Sequence, residues 1–317
     1  MSSVPSTNRN NCKAQQGFTL IELMISLVLG LLISAAVIQV FITSQRVDRI
    51  QTAGSEIQDK AVFGLQAIEP QIRLANLGNA GVAINDTTAM GGIVLTIGDL
   101  DAINVNAAVK NGNQARSYVT RTATLSNTDV PSDQLTIQYI NTTGRTLFDC
   151  EGTKILLNAW VIIRYYVKEG SAVPAGSDRK NLNINCDAGR IASDGTVSDF
   201  SDAGETIIEN IDQFNIRLGV QRSVVLNGEI THQYADMTVN EYMSLGAGKP
   251  PITNVKLAIL ARSSANSPEN SAENFTIFGN TQTLKTQTNA PKYLRRVYES
   301  NILLRNARVM RVIDTQR

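Results

Sequence analysis

The chain has 317 residues, 43% hydrophobic and 18% charged, an ordinary balance for a folded protein and enough for a sizeable core. A net charge of +1 removes any whole-chain reason to expect a polyanionic partner. Only 5% of the residues are aromatic, and the many Asn, Thr and Ser residues suit a surface-exposed, β-rich body better than a compact cytosolic enzyme.

Residues 1–16 are polar, with Arg9 and Lys13 as their only charged side chains. From Phe18 to Ile42 the sequence is apolar over 25 residues, interrupted by a single charge, Glu22. As a helix rising about 1.5 Å per residue, this run crosses a hydrocarbon core of about 30 Å. The basic flank predicts that the N-terminal side stays cytoplasmic. An ordinary secretory signal would be cut near Ser34-Ala35-Ala36. Against it, a carboxylate inside the apolar region costs about 2.5–3.5 kcal/mol on insertion, and the pattern runs straight through that cut. A plain membrane anchor explains the length but gives no reason for Glu22 or for Gly17-Phe18.

The run Gln16-Gly17-Phe18-Thr19-Leu20-Ile21-Glu22-Leu23-Met24-Ile25 resembles the processing site of type IV prepilins and pseudopilins. The resemblance implies that a membrane-embedded prepilin peptidase cuts between Gly17 and Phe18 and then N-methylates Phe18. It also implies a role for Glu22 in assembly. A carboxylate in lipid is unfavourable unless neutralised or paired, and in this family it is thought to meet the N-terminal amine of a neighbouring subunit.

After Ile42 the helical rhythm continues in polar sequence. Val47, Ile50, Ile57, Ala61, Leu65, Ile68, Ile72 and Ala75 form one apolar stripe. A helix from about Phe18 to about Leu77 would be roughly 90 Å long; a coiled coil is the alternative use of the stripe. Gly54 weakens this helix by roughly 1 kcal/mol relative to alanine. Pro70 is expected to kink it near Gln66–Glu69, and Gly78 and Gly81 to end it.

From about Gly92 the periodicity changes. Residues 93–97, 134–140, 159–167, 182–185, 213–220, 254–262 and 293–304 read as strands separated by polar Gly/Asn/Ser/Asp loops. Without strand–helix–strand alternation, an antiparallel sheet packed on the helix is expected. The expected fold class is therefore α+β and, given the resemblance, pilin-like, with the first half of the long N-terminal helix transmembrane. The expected organisation is a cleaved leader at 1–17, a transmembrane assembly helix at 18–42, its amphipathic continuation at 43–77, and a β-rich body at 78–317. A small subdomain is expected near 170–205.

The three cysteines fall on two sides of the apolar segment. Cys12 precedes it, while Cys150 and Cys186 would enter an oxidising compartment, where one disulfide closing a loop of roughly 35 residues contributes about 3–4 kcal/mol. Two free, buried thiols are the alternative.

Within the prepilin family the chain is most similar to the large minor pilins called PilW. The matching points are Gln15-Gln16-Gly17, Ile72-Arg73-Leu74-Ala75-Asn76, the two body cysteines, Arg295-Arg296-Val297-Tyr298, and Ile302-Leu303-Leu304-Arg305-Asn306. Gln39 stands near where many major pilins carry a proline. That departure, with the large body, argues for a low-copy subunit.

Candidate chemistry is sparse. His232 is the only histidine, so it cannot build a multi-histidine metal site. Gly246-Ala247-Gly248-Lys249-Pro250 has Met243 and Pro250 where a phosphate loop needs Gly and Ser or Thr, and reads as a turn. Asp194, Asp199, Asp202 and Glu205 are hard oxygen ligands for calcium, but their spacing misses the EF-hand pattern and a solvated acidic loop is the simpler reading. Residues 187–241 hold ten acidic and three basic side chains, whereas 285–317 hold eight basic and two acidic. Arg295, Arg296, Arg305, Arg308 and Arg311 are thus expected to meet acidic neighbouring subunits, with DNA the lesser alternative.

The resemblance implies a minor pilin that assembles rather than catalyses, with no cofactor and no metal. Its implied partners are the prepilin peptidase, other minor pilins, the major pilin and, before assembly, the bacterial inner membrane; nucleic acid is not expected. Its implied location is the inner membrane, with a single pass and a periplasmic body, and then the pilus at the cell surface. A type II secretion pseudopilin, a tip adhesin or a DNA-uptake module are the alternatives.

Overall fold

The computed structural model describes residues 17–79, 82–96, 119–123, 125–170, 180–193, 197–200, 203–226, 229–267, 272–286 and 292–307. The chain divides into two compact units at Arg49/Ile50. Helix α1, Leu20–Arg73, supplies the described helical part of the first unit and opens the second. In the first unit the large apolar side chains from Leu20 to Ile42 are all exposed, 53% at the least. By length and composition α1 is able to cross a membrane.

In the second unit α1 buries Ala53, Gly54, Ile57, Ala61, Gly64, Leu65, Ile68 and Ile72. The stripe expected from periodicity is thus realised from Ile57 onward, while Val47 stays 46% exposed. Small residues widen it: Ala53, Gly54 and Gly64 let the body come close. The helix is continuous through Pro70 and ends at Arg73, so the expected kink does not break it. Pro70 stands one turn from the end, where one missing N–H removes only the bond to the Gln66 carbonyl.

The body is built on one antiparallel sheet. Its strands are β1 (Arg121–Thr122), β2 (Asp133–Ile140), β5 (Trp160–Glu169), β6 (Leu182–Ile191), β8 (Glu205–Leu226), β10 (Ile252–Arg262) and β13 (Arg295–Leu303), in that spatial order. β7 (Val197–Ser198) pairs with β6, and β9 (Glu229–Met237) with the far end of β8. Two small hairpins stand apart, β3 (Leu147–Phe148) with β4 (Lys154–Ile155), and β11 (Asn274–Ile277) with β12 (Asn280–Thr283). A short helix α2, Val239–Ser244, opens on a capping box in which Thr238 and Glu241 bond each other's backbone N–H.

Strand alternation places one set of side chains against the helix. Ile137 and Tyr139 of β2, Ile163 and Tyr165 of β5, Ile184 and Cys186 of β6, and Leu257 and Ile259 of β10 join Ile57 to Ile72 of α1 in the main core. The opposite face is covered in two places. Val94, Trp160, Ile162 and Ile191 form one outer cluster. Ala258 and Leu260 form the other beneath Phe275 and Ile277 of the β11–β12 hairpin. This double coverage explains why β5 and β10 are buried on both faces and read as continuous apolar runs.

Several expected boundaries move. Residues 93–97 contribute an isolated bridge, Ile93 to Ile137, rather than a strand, and Ile97 lies outside the described residues. The strand expected at 182–185 continues to Ile191 and lies between β5 and β8. Residues 182–191 of the 170–205 range therefore belong to the main sheet. Residues 171–179 lie outside the described residues.

Candidate functional site

The expected processing and assembly residues lie where α1 begins. Gly17 and Phe18 precede the helix, and Phe18 is 84% exposed. A side chain added at Gly17 would meet nothing within 4 Å, so no packing demand calls for glycine there. Leu20 is the first helical residue, and Glu22 stands in the first turn. The Thr19 hydroxyl accepts from the Glu22 amide and donates to the Glu22 carboxylate, both at 3.4 Å. Thr19-Leu20-Ile21-Glu22 follows the Ser/Thr-x-x-Glu spacing of helix starts, so Glu22 also complements the exposed N–H groups of this terminus. Ser26 turns its hydroxyl back onto the Glu22 carbonyl at 2.7 Å. The carboxylate is therefore exposed and, among the described residues, bonded by the Thr19 hydroxyl alone.

Two of the sequence points of resemblance beyond this start, 72–76 and 302–306, meet at the other end of α1. The last carbonyls of a helix lack partners within it. Asn306 donates to the carbonyls of Arg73, Leu74 and Ala75, at 3.5, 3.5 and 3.2 Å. Asn76 answers from the helix side. It is buried and left-handed, with φ 66°, a conformation asparagine tolerates better than most residues. Its amide donates to the carbonyls of Val82 at 3.2 Å and Asn306 at 3.0 Å, and its side-chain oxygen accepts from the Gly92 amide at 3.1 Å. The chain segments around 72–76 and 302–306 thus form one C-terminal cap, whose role is structural.

The Cys150 and Cys186 sulfurs are bonded, with their Cα atoms 6.3 Å apart, within the usual disulfide span. This bond ties the turn of the β3–β4 hairpin to β6. Asp149 adds an ion pair to Arg190 of β6 at 2.6 Å and accepts from the Glu151 and Thr153 amides. Cys12 lies outside the described residues.

The basic C-terminal group divides. Arg295 is not at the surface: its guanidinium is buried against Asp212, which also approaches Arg262 at 3.6 Å. Burial in an ion pair removes it from any interaction surface. Arg296 and Arg305 remain exposed, and Arg308 and Arg311 lie outside the described residues. Of the acidic group, Asp199 and Glu205 are described and Asp194 and Asp202 are not. Among the described residues no cluster of three His, Cys, Asp or Glu side chains could hold a metal ion. His232 bonds Ser223 at 2.9 Å on an exposed stretch of the β8–β9 pair.

Comparison with known families gives two matches. The sequence model of the prokaryotic N-terminal methylation motif matches residues 12–38, the stretch holding Gly17, Phe18 and Glu22. That of type IV pilus-assembly protein W matches residues 164–306, from β5 to the Asn306 cap. No curated protein and no solved structure matches the chain. The long apolar helix and the antiparallel body make an α+β, pilin-like fold, and these two segments of the chain are similar to type IV pilus-related proteins.

Proposed function

We propose that this chain is a minor pilin of a bacterial type IV pilus that helps prime filament growth as part of a tip complex. The observation that carries this reading is the order of the two matches: a methylation motif on an exposed apolar helix, followed by a body of the pilus-assembly W type. In this reading residues 1–17 are a leader removed by the prepilin peptidase between Gly17 and Phe18, and Phe18 is then methylated. Residues 18–42 hold the protein in the inner membrane with the body, residues 78–317, in the periplasm, and residues 43–77 continue the helix onto it.

Assembly then moves the apolar helix from lipid into a filament core of like helices. The methylated amine of Phe18 and the exposed carboxylate of Glu22 are opposite charges in neighbouring subunits. Pairing them removes the cost of a lone charge in an apolar setting and fixes the axial register. No reaction is assigned to the protein; its partners are the other minor pilins and the major pilin.

The test is deletion of the gene, scored for surface pili, twitching and exoprotein secretion, with complementation by the wild type and by Glu22→Ala. The proposal predicts loss of pili and twitching with secretion intact, and restoration by the wild type but not by Glu22→Ala. Loss of secretion with pili intact would assign the protein to a type II secretion system instead.

A further inference from the structure

We propose that the cavity over Trp160 is an anchor pocket that takes an apolar side chain with an adjacent carboxylate from another polypeptide. The cavity has a volume of about 580 Å³, within the range of specific ligand sites. Met90, Ile140, Trp160 and Ile191 give it an apolar lining. The Trp160 indole N–H is already used, donating to Gln138 at 3.2 Å, so the ring offers the cavity apolar surface rather than a donor.

The charge at the pocket is uneven. Arg190 lines it, but its guanidinium is engaged by the Asp149 carboxylate at 2.6 Å and by the Gly189 and Lys154 carbonyls, both at 3.2 Å. Lys154 is exposed, and among the described residues no carboxylate stands within ion-pair distance of it. Asp199 is the carboxylate in the lining. With the Arg190 charge met by Asp149, Lys154 and Asp199 are the charges left in the described lining, so an incoming carboxylate is favoured beside Lys154 and disfavoured beside Asp199, which orients the ligand.

The surroundings distinguish a polypeptide from a free small acid. Leu156, itself in the lining, is 66% exposed and Leu157 is 53% exposed. Leu156 thus carries exposed apolar surface out of the lining, and Leu157, next in the chain, adds more, which a longer ligand can cover. They follow β4 directly, on a segment held by the Cys150–Cys186 bond and the Asp149–Arg190 pair. Such prior ordering lowers the entropic cost of binding.

Trp160 is the only tryptophan in the chain, so its fluorescence reports occupancy directly. The full chain in detergent is titrated with the blocked peptide acetyl-Glu-Phe-Gly-amide, its Lys-Phe and Glu-Ala counterparts, and free hydrocinnamate. The Glu-Phe peptide is expected to bind at about 1 mM, and each of the other three about tenfold more weakly. Lys154→Glu should reverse the preference between the Glu-Phe and Lys-Phe peptides, and Ser198→Phe should abolish binding by filling the cavity, both with the urea midpoint unchanged. Equal binding of the Glu-Phe and Lys-Phe peptides, or no response from a folded wild type, would overturn the proposal. Hydrocinnamate binding as tightly as the peptide would overturn it in favour of a small-molecule site.

Discussion

Asn76→Ala probes the joint between helix and body. The wild-type side chain makes three bonds of 3.0–3.2 Å, to the Val82 and Asn306 carbonyls and from the Gly92 amide, and accepts a longer fourth from the Asn79 side-chain amide at 3.4 Å. At about 1 kcal/mol net for each of the three shorter bonds, their loss costs about 3 kcal/mol. The backbone at φ 66° adds about 1 kcal/mol, because alanine has a Cβ and no side chain to bond locally. The expected destabilisation is therefore about 4 kcal/mol, a large fraction of a typical stability of about 5–15 kcal/mol. Asn76→Gly separates the two effects: it loses the same bonds but accepts the left-handed backbone, so it should be about 1 kcal/mol more stable than Asn76→Ala. Urea unfolding of the full chain in detergent, followed by the fluorescence of buried Trp160, measures both. A loss below about 1 kcal/mol for Asn76→Ala, or alanine and glycine variants of equal stability, would refute the reasoning.

Two helix glycines should respond oppositely to alanine. At Gly54 a new Cβ meets only Arg296 and Leu294, at 3.7 and 3.8 Å, so helix propensity prevails and Gly54→Ala should stabilise by about 0.5–1 kcal/mol. At Gly64 it would lie 2.2 Å from Ile208 Cγ1, so overpacking outweighs propensity and Gly64→Ala should destabilise by about 1–3 kcal/mol in the same urea assay. Asp133 gives a pH signature. Burial pushes its carboxyl above the ordinary 3.8, although it accepts from the Ile216 amide at 2.8 Å. A raised folded-state pKa means that the contribution is fully present below the unfolded value and is lost as pH rises through the folded one. Asp133→Asn keeps an acceptor for Ile216 and removes this titration. Its stability relative to wild type should therefore improve as pH rises above the ordinary carboxylate value, as measured by urea midpoints at a series of pH values.

The legible parts of the fold are those with water on one side and core on the other. The stripe Ile57, Ala61, Leu65, Ile68, Ile72 shows because every third or fourth residue is buried while Glu56 and Lys60 pair in solvent at 2.9 Å. β9 does not show, because nearly all of its side chains are exposed and no period-two apolar pattern is imposed. The β11–β12 hairpin is as hard to see, since its apolar contact is carried by Phe275 and Ile277 with Phe278 of the turn, too few to set a pattern. Charge misleads where ions are buried in pairs. Arg295 reads as a surface residue until Asp212, 83 residues away, is found beside it, and Arg164 with Asp187 behaves the same way. The Asn76–Asn306 cap joins residues 230 apart, a separation no local pattern encodes. At the candidate site the motif around Gly17 was plain in the sequence. The Thr19–Glu22 bond was also present as spacing, but a carboxylate in an apolar run reads first as a charge in lipid.

The central claim is that the chain is cut and methylated at its apolar helix, and the most direct measurement is the intact mass and N-terminal fragment spectrum of the protein purified from its own membranes. The account predicts a chain that begins at Phe18 with one added methyl group, and an uncut chain when Gly17 is changed to valine. A mature protein that begins at Met1 or Ser2, or one cut after Ala36, would contradict it.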